Sequence, residues 1–496
     1  MPVNTLTEPQ TVTIDTPVNS PVDGDVARTV PGDLKLMPGP RAAVDDEQPF
    51  GPRRVALTIG LLLTIVGVAF EALAVATVLP AVVADLGGLN LYGWAFSAFL
   101  LTQLVGVVIA GLLADSRGPA LPFVLGVLLF SAGLLVGGIA ASMPILIAGR
   151  ALQGLGGGAI ASIAYVAIGR GYPESARPRM LALLSTAWVV PGLVGPAVAG
   201  LMAEGFGWRS VFLGLAPLPV LTAALALPAL RRMPAGTPSP ESRARVVSAV
   251  VLAAGSGLIL TGIALPNPPL ALAMTLGGLA LAIPAMRRLL PAGTLRAAPG
   301  LPATVATMGL LNLAFFGVDA FVPLALVEVR GTSIAFAGLA LTAATIAWSS
   351  ASWVQARTAS RVSRRAMSRI GIAFLGASFL ATGVALLPAV PVALSVPAWG
   401  LAGLGMGLAY TTLSLAMLEQ AEPGQEGEAS ASLQLASVLG AGLGAGLGGA
   451  LIALLQVRDE PLVRALLLQG GLMLGVTLLA LVAARGLPGR IRLGGD

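Results

Sequence analysis

Fourteen runs of about 20 predominantly apolar residues, each the length a helix needs to cross the hydrocarbon core of a bilayer, divide this chain almost from end to end. They cover 55–83, 92–114, 119–142, 143–169, 180–203, 210–230, 246–264, 267–286, 301–327, 333–356, 370–390, 391–418, 429–456 and 465–484. With 56% hydrophobic and 10% charged residues and a mean hydropathy of +0.89, the composition is far from that of a soluble protein, where about a quarter of residues carry charge. The pattern predicts an all-α polytopic membrane protein.

Inside those runs only Glu71, Arg150 and Asp319 are charged. A charge at the centre of a bilayer costs about 2.5–3.5 kcal/mol on insertion scales, so an intramembrane ionisable residue marks a pathway or a paired site. Basic residues also orient the chain, because short cytoplasmic loops retain Lys and Arg. With the N-terminus inside, Arg209, Arg330, Arg458 and Arg464 lie outside, Arg150 lies in the membrane, and the other 24 of the 29 basic residues (29 − 5) are cytoplasmic. Both termini are then cytoplasmic, and the net charge of +6 reports topology. Nucleic acid is not expected as a partner, since the basic residues are dispersed among loops. Lys35 is the lone lysine, an arginine bias that points to a GC-rich bacterial genome and a cytoplasmic (inner) membrane.

Residues 1–54 are rich in Pro, Thr, Val and Asp without helical periodicity and read as a disordered cytoplasmic tail. They resemble no signal peptide, so the first apolar run is expected to be retained as a helix. The chain has no cysteine and no histidine. Disulfides, thiolate chemistry and histidine metal sites are excluded, no metal or cofactor is expected, and no GxxxxGK[ST] loop offers ATP drive. An enzyme is the least favoured class. Without histidine, proton coupling near neutral pH falls to desolvated carboxylates.

The chain also echoes itself. Gly154-Leu155-Gly156-Gly157-Gly158 aligns with Gly403-Leu404-Gly405-Met406-Gly407 at a shift of 249 (403 − 154), and Gly195-Pro196-Ala197-Val198-Ala199-Gly200 aligns with Gly444-Ala445-Gly446-Leu447-Gly448-Gly449 at the same shift (444 − 195). Glu71 and Asp319 nearly share it, at 248 (319 − 71). Segments one to six and nine to fourteen therefore read as duplicated six-helix bundles over 55–230 and 301–485. Residues 231–300 contribute an inserted transmembrane hairpin with its linkers, and 486–496 a short cytoplasmic tail. Parallel repeats of this kind place substrate between the halves and work by rocking one half against the other.

Four motifs resemble the major facilitator superfamily, specifically its drug/proton antiporter branch with fourteen helices, over roughly residues 55 to 485. Gly111-Leu112-Leu113-Ala114-Asp115-Ser116-Arg117-Gly118 is similar to the family's loop motif after the second helix, although Pro119 and Ala120 follow where basic residues are usual. The resemblance implies that Asp115 helps latch the halves in the outward-facing state. Gly149-Arg150-Ala151-Leu152-Gln153-Gly154 resembles the Arg-x-x-Gln-Gly motif of the fourth helix, whose arginine is implicated in proton coupling. Pro191-Gly192-Leu193-Val194-Gly195-Pro196-Ala197-Val198-Ala199-Gly200 resembles the exporter motif of the fifth, with Ala199 where a second glycine is usual. Phe70-Glu71-Ala72-Leu73-Ala74-Val75-Ala76-Thr77-Val78-Leu79-Pro80 resembles the acidic motif of the first, with Glu for the commoner Asp.

Glu71, Asp319, Arg150 and Gln153 are thus the candidate proton-coupling and substrate residues, with helix rise placing Glu71 and Arg150 close enough in depth to pair. Asp319 lies among aromatics suited to a flat or lipophilic cation, or is a packing acid satisfied by Asn312 or a hydroxyl. Asn312, Phe316 and Gln103 are candidate cavity liners; Trp188, Trp348, Trp399 and Tyr410 read either as liners or as anchors at the membrane interface, and none is singled out. Glu419, Glu422, Glu426 and Glu428 form an acidic cytoplasmic run that is either solvated or paired with Arg361, Arg364, Arg365 or Arg369. The expected function is proton-coupled export of a lipophilic small molecule by a monomer among membrane lipids. Export of a lipid or natural product is the alternative, and a non-transporting receptor or scaffold is the alternative of another class.

Overall fold

Residues 54–237, 242–422 and 425–489 are described by a computed structural model of the chain. Fourteen membrane-length helices follow one another: α1 Val55–Leu86, α2 Leu89–Arg117, α3 Ala120–Gly138, α4 Met143–Gly171, α5 Val189–Phe206, α6 Arg209–Leu230, α7 Ser242–Ala264, α8 Pro268–Leu289, α9 Leu301–Val329, α10 Ile334–Thr358, α11 Arg364–Ala385, α12 Val392–Gln420, α13 Glu426–Gln456 and α14 Leu462–Gly486. All fourteen expected runs are present. Short connections force each helix to return antiparallel, so one membrane face, here the near face, carries Arg54 and every even helix's end, and the far face carries Leu86. Of the expected tails, 1–53 and 490–496 lie outside the described residues. Arg54 is docked, its Nε donating to Gly171 O at 3.1 Å.

Local chemistry sets the boundaries. Glycines with positive φ, Gly87 (68°), Gly118 (82°) and Gly207 (80°), end α1, α2 and α5, a conformation other residues resist. Ser333 and Ser363 start α10 and α11 by accepting the amides of Phe336 (3.1 Å) and Ala366 (3.2 Å). That cap starts α11 six residues before the expected 370 (370 − 364), because Arg364 and Arg365 make its first turn too polar for a hydropathy window. The run expected at 180–203 is split into Arg177–Thr186 and α5. Pro191 has no N–H to offer Ala187 O, which weakens the helix at the split. Helix α9 is likewise interrupted after Asp319, resumes at Val322–Leu324 and ends in a π-turn, Ala325–Val329.

Two six-helix bundles, α1–α6 and α9–α14, flank the α7–α8 hairpin. The repeat is visible in the packing itself. A side chain added at Gly156 would meet Gly126 O and Phe130 N of α3, and one added at Gly405 would meet Gly371 O and Leu375 N of α11. The glycines are offset by 249 (405 − 156) and both sets of neighbours by 245 (371 − 126, 375 − 130). Small residues of this kind let membrane helices approach to backbone contact.

Between the bundles run two seams, α2 against α13 and α5 against α10. On the first, Ser97 Oγ donates to Gly442 O at 2.8 Å and a Cβ at Gly93 would meet Gly449 Cα at 2.7 Å. On the second, Glu204 accepts the Ala335 amide at 3.0 Å and a Cβ at Gly200 would meet Ala335 Cα at 2.8 Å. At the far face the apolar core is continuous, with Phe321, Leu324, Ile452 and Leu466 packed with Leu79, Val82 and Tyr92. Toward the near face the second bundle keeps its own core around Met308, Leu413, Met417 and Leu433. Among the described residues the near-face ion pairs do not join the two bundles: Asp115–Arg170 at 2.6 Å lies in the first and Arg364–Glu419 at 2.7 Å in the second. The hairpin packs by Leu252 and Leu260 against Leu101, Leu104 and Leu439, along the α2–α13 seam.

Candidate functional site

Glu71 is fully buried on α1 and forms an ion pair with Arg150 of α4, itself only 3% exposed. The guanidinium is fully engaged: Nη1 also donates to Gln153 Oε1 at 2.7 Å, Nε donates to Ala95 O at 3.0 Å, and the cation lies over the Phe99 ring at 4.4 Å. The helical spacing of the Arg-x-x-Gln sequence puts Gln153 one turn from Arg150 on the same face. The glycines that follow bring α2 close enough to supply Ala95 and Phe99, since a Cβ at Gly154 would strike Phe99 O and Thr102 Oγ1. Two atoms of this cluster have no partner, Glu71 Oε2 and Gln153 Nε2, both out of contact with solvent. Buried polar atoms are ordinarily satisfied, so an acceptor and a donor left open beside one guanidinium have capacity for a further polar partner.

Asp319 stands apart from this cluster, half-buried at the end of the first part of α9, where it accepts the Trp399 indole N–H at 3.2 Å. Trp399 begins an aromatic series. It stacks on Phe315 at 5.5 Å and on Phe379 at 6.4 Å; Phe315 in turn meets Phe316 at 5.0 Å and Trp348 at 5.6 Å edge-on, and Trp348 meets Tyr410 at 5.6 Å. Asn312, one of the partners weighed for Asp319 as a packing acid, is only 1% exposed and donates instead to Met308 O one turn back at 2.9 Å. Such burial takes Asn312 off any open wall, a correction to its reading as a liner. Phe316 and Gln103 are partly exposed, whereas Trp399 is fully buried.

The gating motifs are also located. Asp115 pairs with Arg170 of the same bundle, and Arg170 donates further to Ala114 O (3.2 Å) and Pro234 O (3.4 Å), so the segment after α6 is fastened over the loop. The latch expected to join the halves through Asp115 is, in this structure, a tie within the first half. Arg117 is exposed at the last position of α2, Gly118 turns the chain, and Gly111 has only Ser162 Oγ, at 3.9 Å, near its missing Cβ. In α5, Gly192 faces Thr345 and Gly200 faces Ala335 on α10, while Gly195 faces Phe70 of α1 at 3.7 Å. Pro191 and Pro196 are buried with them, and Pro196 O would lie 2.8 Å from a Cβ at Gly338. The small face of this helix therefore meets protein, and Leu193, Val194 and Val198 are exposed. In the acidic run, Glu419 holds Arg364 and Glu428 meets Arg245 of α7 at 3.4 Å.

Several of these contacts carried no mark in the sequence. Ala95 acts through its backbone carbonyl, which every residue has, and Phe99 is one aromatic among many. The pairing of Arg170 with Asp115 spans 55 residues and has no local pattern to announce it.

Known proteins supply the frame for this geometry. The sequence profile described as Major Facilitator Superfamily matches residues 57–445. A probable multidrug-efflux transporter of Mycobacterium tuberculosis (strain H37Rv) is 30% identical over 383 residues, covering 73% of this chain and 80% of that one. The multidrug transporter protein MdtP of Bacillus subtilis is 33% identical over 160 residues, 32% of this chain and 30% of its own. Among solved structures, a POT family transporter in complex with 5-aminolevulinic acid superposes with a TM-score of 0.66 at 15% identity, over 89% of this chain and 98% of that one, which is a likeness of fold. With its profile, its relatives and its two repeated bundles in agreement, this chain is a member of the Major Facilitator Superfamily and a multi-pass transporter of small molecules.

Proposed function

We propose that the protein exports lipophilic small molecules in exchange for protons by alternating access, as a monomer in the cytoplasmic membrane of a bacterium. The observation that carries this reading is the Glu71–Arg150–Gln153 cluster, because it combines an intramembrane charge pair with an unpaired carboxylate oxygen. A pair that only held helices together would do as well with apolar side chains, since a buried ion pair is weak evidence of stabilisation. Glu71 Oε1 is committed to Arg150, and Oε2 is the atom that receives the proton. Protonation removes the carboxylate charge and leaves Arg150 to Gln153 and Ala95 O.

On the substrate side, Asp319 and the aromatic series of the second bundle supply a carboxylate beside ring faces, suited to a flat apolar cation. Loading occurs from the near face, where the two cores part, and release at the far face, where they are now fused. The near face is cytoplasmic in this reading, which is supported by Arg209, Arg330, Arg458 and Arg464 standing at far-face helix ends. Residues 55–230 and 301–485 act as the two moving bodies, with 231–300 as the inserted hairpin and linkers. Gly192, Pro196 and Gly200 keep the α5–α10 seam tight against proton leak.

Purified protein in liposomes with an imposed pH gradient and an internal pH dye tests this against a panel of lipophilic cations, neutral drugs and amphiphiles. Substrate-dependent proton movement is expected, and its loss in Glu71→Gln and in Asp319→Asn. Undiminished coupling in both single variants and in the double variant would overturn the mechanism. One observation favours a second reading, export of a lipid or natural product. A cavity of about 360 Å³ between α9, α11 and α14 is lined by Phe379, Leu380, Leu467 and Leu474 and suits an acyl chain. Transport of an endogenous amphiphile that no dye or antibiotic competes away would favour it.

A further inference from the structure

We infer that Tyr92 is the latch that holds the far face shut, and that it acts through the interruption of α9 beside Asp319. This rests on the alternating-access reading above. The interruption at Ala320 and Phe321 frees carbonyl groups that a continuous helix would have used, and each is taken by a side chain from a different body. Gln469 of α14, in the same bundle, donates to Gly317 O. Tyr92 of α2, in the opposite bundle, donates to Ala320 O at 3.0 Å and lays its ring against Phe321 at 5.3 Å. Tyr92 and Phe321 are both fully buried.

The two bonds have opposite fates when the halves part at the far face. The Gln469 bond travels with its bundle, whereas the Tyr92 bond must break. Among the described residues two other hydrogen bonds cross the far half, Ser97 to Gly442 O and the Ala335 amide to Glu204, but neither lands on α9. The Tyr92 bond ends one residue from Asp319, so a change in what Asp319 holds is passed to the seal through one peptide unit. A short helix segment followed by a π-turn, Val322–Leu324 and Ala325–Val329, gives α9 a part able to swing independently of its first half. Val318, Phe321, Val322 and Ala325 line the cavity behind it, which leaves room for that swing.

Because the chain has no cysteine, a spin-label pair needs no other change. Phe206→Cys at the end of α5 and Leu394→Cys at the start of α12 put exposed labels on the far ends of opposite bundles. Electron–electron distance measurements in nanodiscs, in acidic and alkaline buffer, then report the far face without any transport assay. Tyr92→Phe keeps the ring and removes the bond, leaving Ala320 O without its partner in the closed form; it is expected to shift population to a longer distance while the protein still folds. Gln469→Leu is expected to leave the distance unchanged, and Asp319→Asn to move it in the native background but not in Tyr92→Phe, the non-additivity of coupled residues. If the native pair shows two distances that Tyr92→Phe leaves unaltered, or if Asp319→Asn and Tyr92→Phe add, the latch is wrong while alternating access stands. If the native pair shows one distance throughout, alternating access falls and the latch with it.

Discussion

At the scale of single residues, the molecule places its charges where they are hardest to hold and satisfies them unevenly. Arg150 uses an anion, an amide, a carbonyl and a ring, whereas Glu71 leaves one oxygen empty. Removing one partner of a buried pair strands the other, at a cost of about 3–5 kcal/mol. Arg150→Met is therefore expected to lower stability by about that amount in denaturant titration of the micelle-bound protein, and Glu71→Gln added to it to restore most of the loss. Recovery that does not appear would mean that Arg150 contributes through Ala95 and Phe99 more than through Glu71. Charge made this pair legible in the sequence, since nothing else survives inside fourteen apolar runs without a reason. What encloses the pair was not legible, because a carbonyl of an alanine and one phenylalanine look the same whether they face an arginine or lipid. For the same reason Asp319 was found and Trp399 was named only as one liner among several.

Helices obey the same rule at larger size. Their number followed from hydropathy, and the duplication from a constant shift, because small-residue faces are repeated wherever two backbones must touch. Their interruptions did not follow. Pro191 signals the split before α5 only once Ala187 O is known to need a donor, and Pro323, which has no N–H to offer Asp319 O, signals the break after Asp319 in the same way. The capped and charged start of α11 lay beneath the threshold of an apolar window. Contact decides what each glycine is for. Gly154→Ala drives a Cβ into Phe99 O and should destabilise by about 1–3 kcal/mol, the usual effect of overpacking. Gly475→Ala, on an open face of α14, should stabilise by about 0.5–1 kcal/mol, because a helical glycine carries excess backbone freedom. Parallel thermal melts of the two variants decide between contact and composition as the reason for this chain's glycines.

For the molecule as a whole, the two bundles share one core at the far face and keep separate cores toward the near face. A cysteine placed at Tyr165, which is 55% exposed, should react readily with a water-soluble maleimide, and one at Thr77, which is fully buried under the far-face seal, only slowly. Equal rates would mean that this closure does not persist in the membrane. The inserted hairpin gives the assembly a handedness that a plain pair of bundles lacks. Among the described residues α7 lies along the α2–α13 seam, while the α5–α10 seam has no such cover. Two bundles alone would meet the surrounding lipid alike on both flanks; the hairpin makes this molecule lopsided, with one seam sheltered behind further helices and the other closed only by its own small residues.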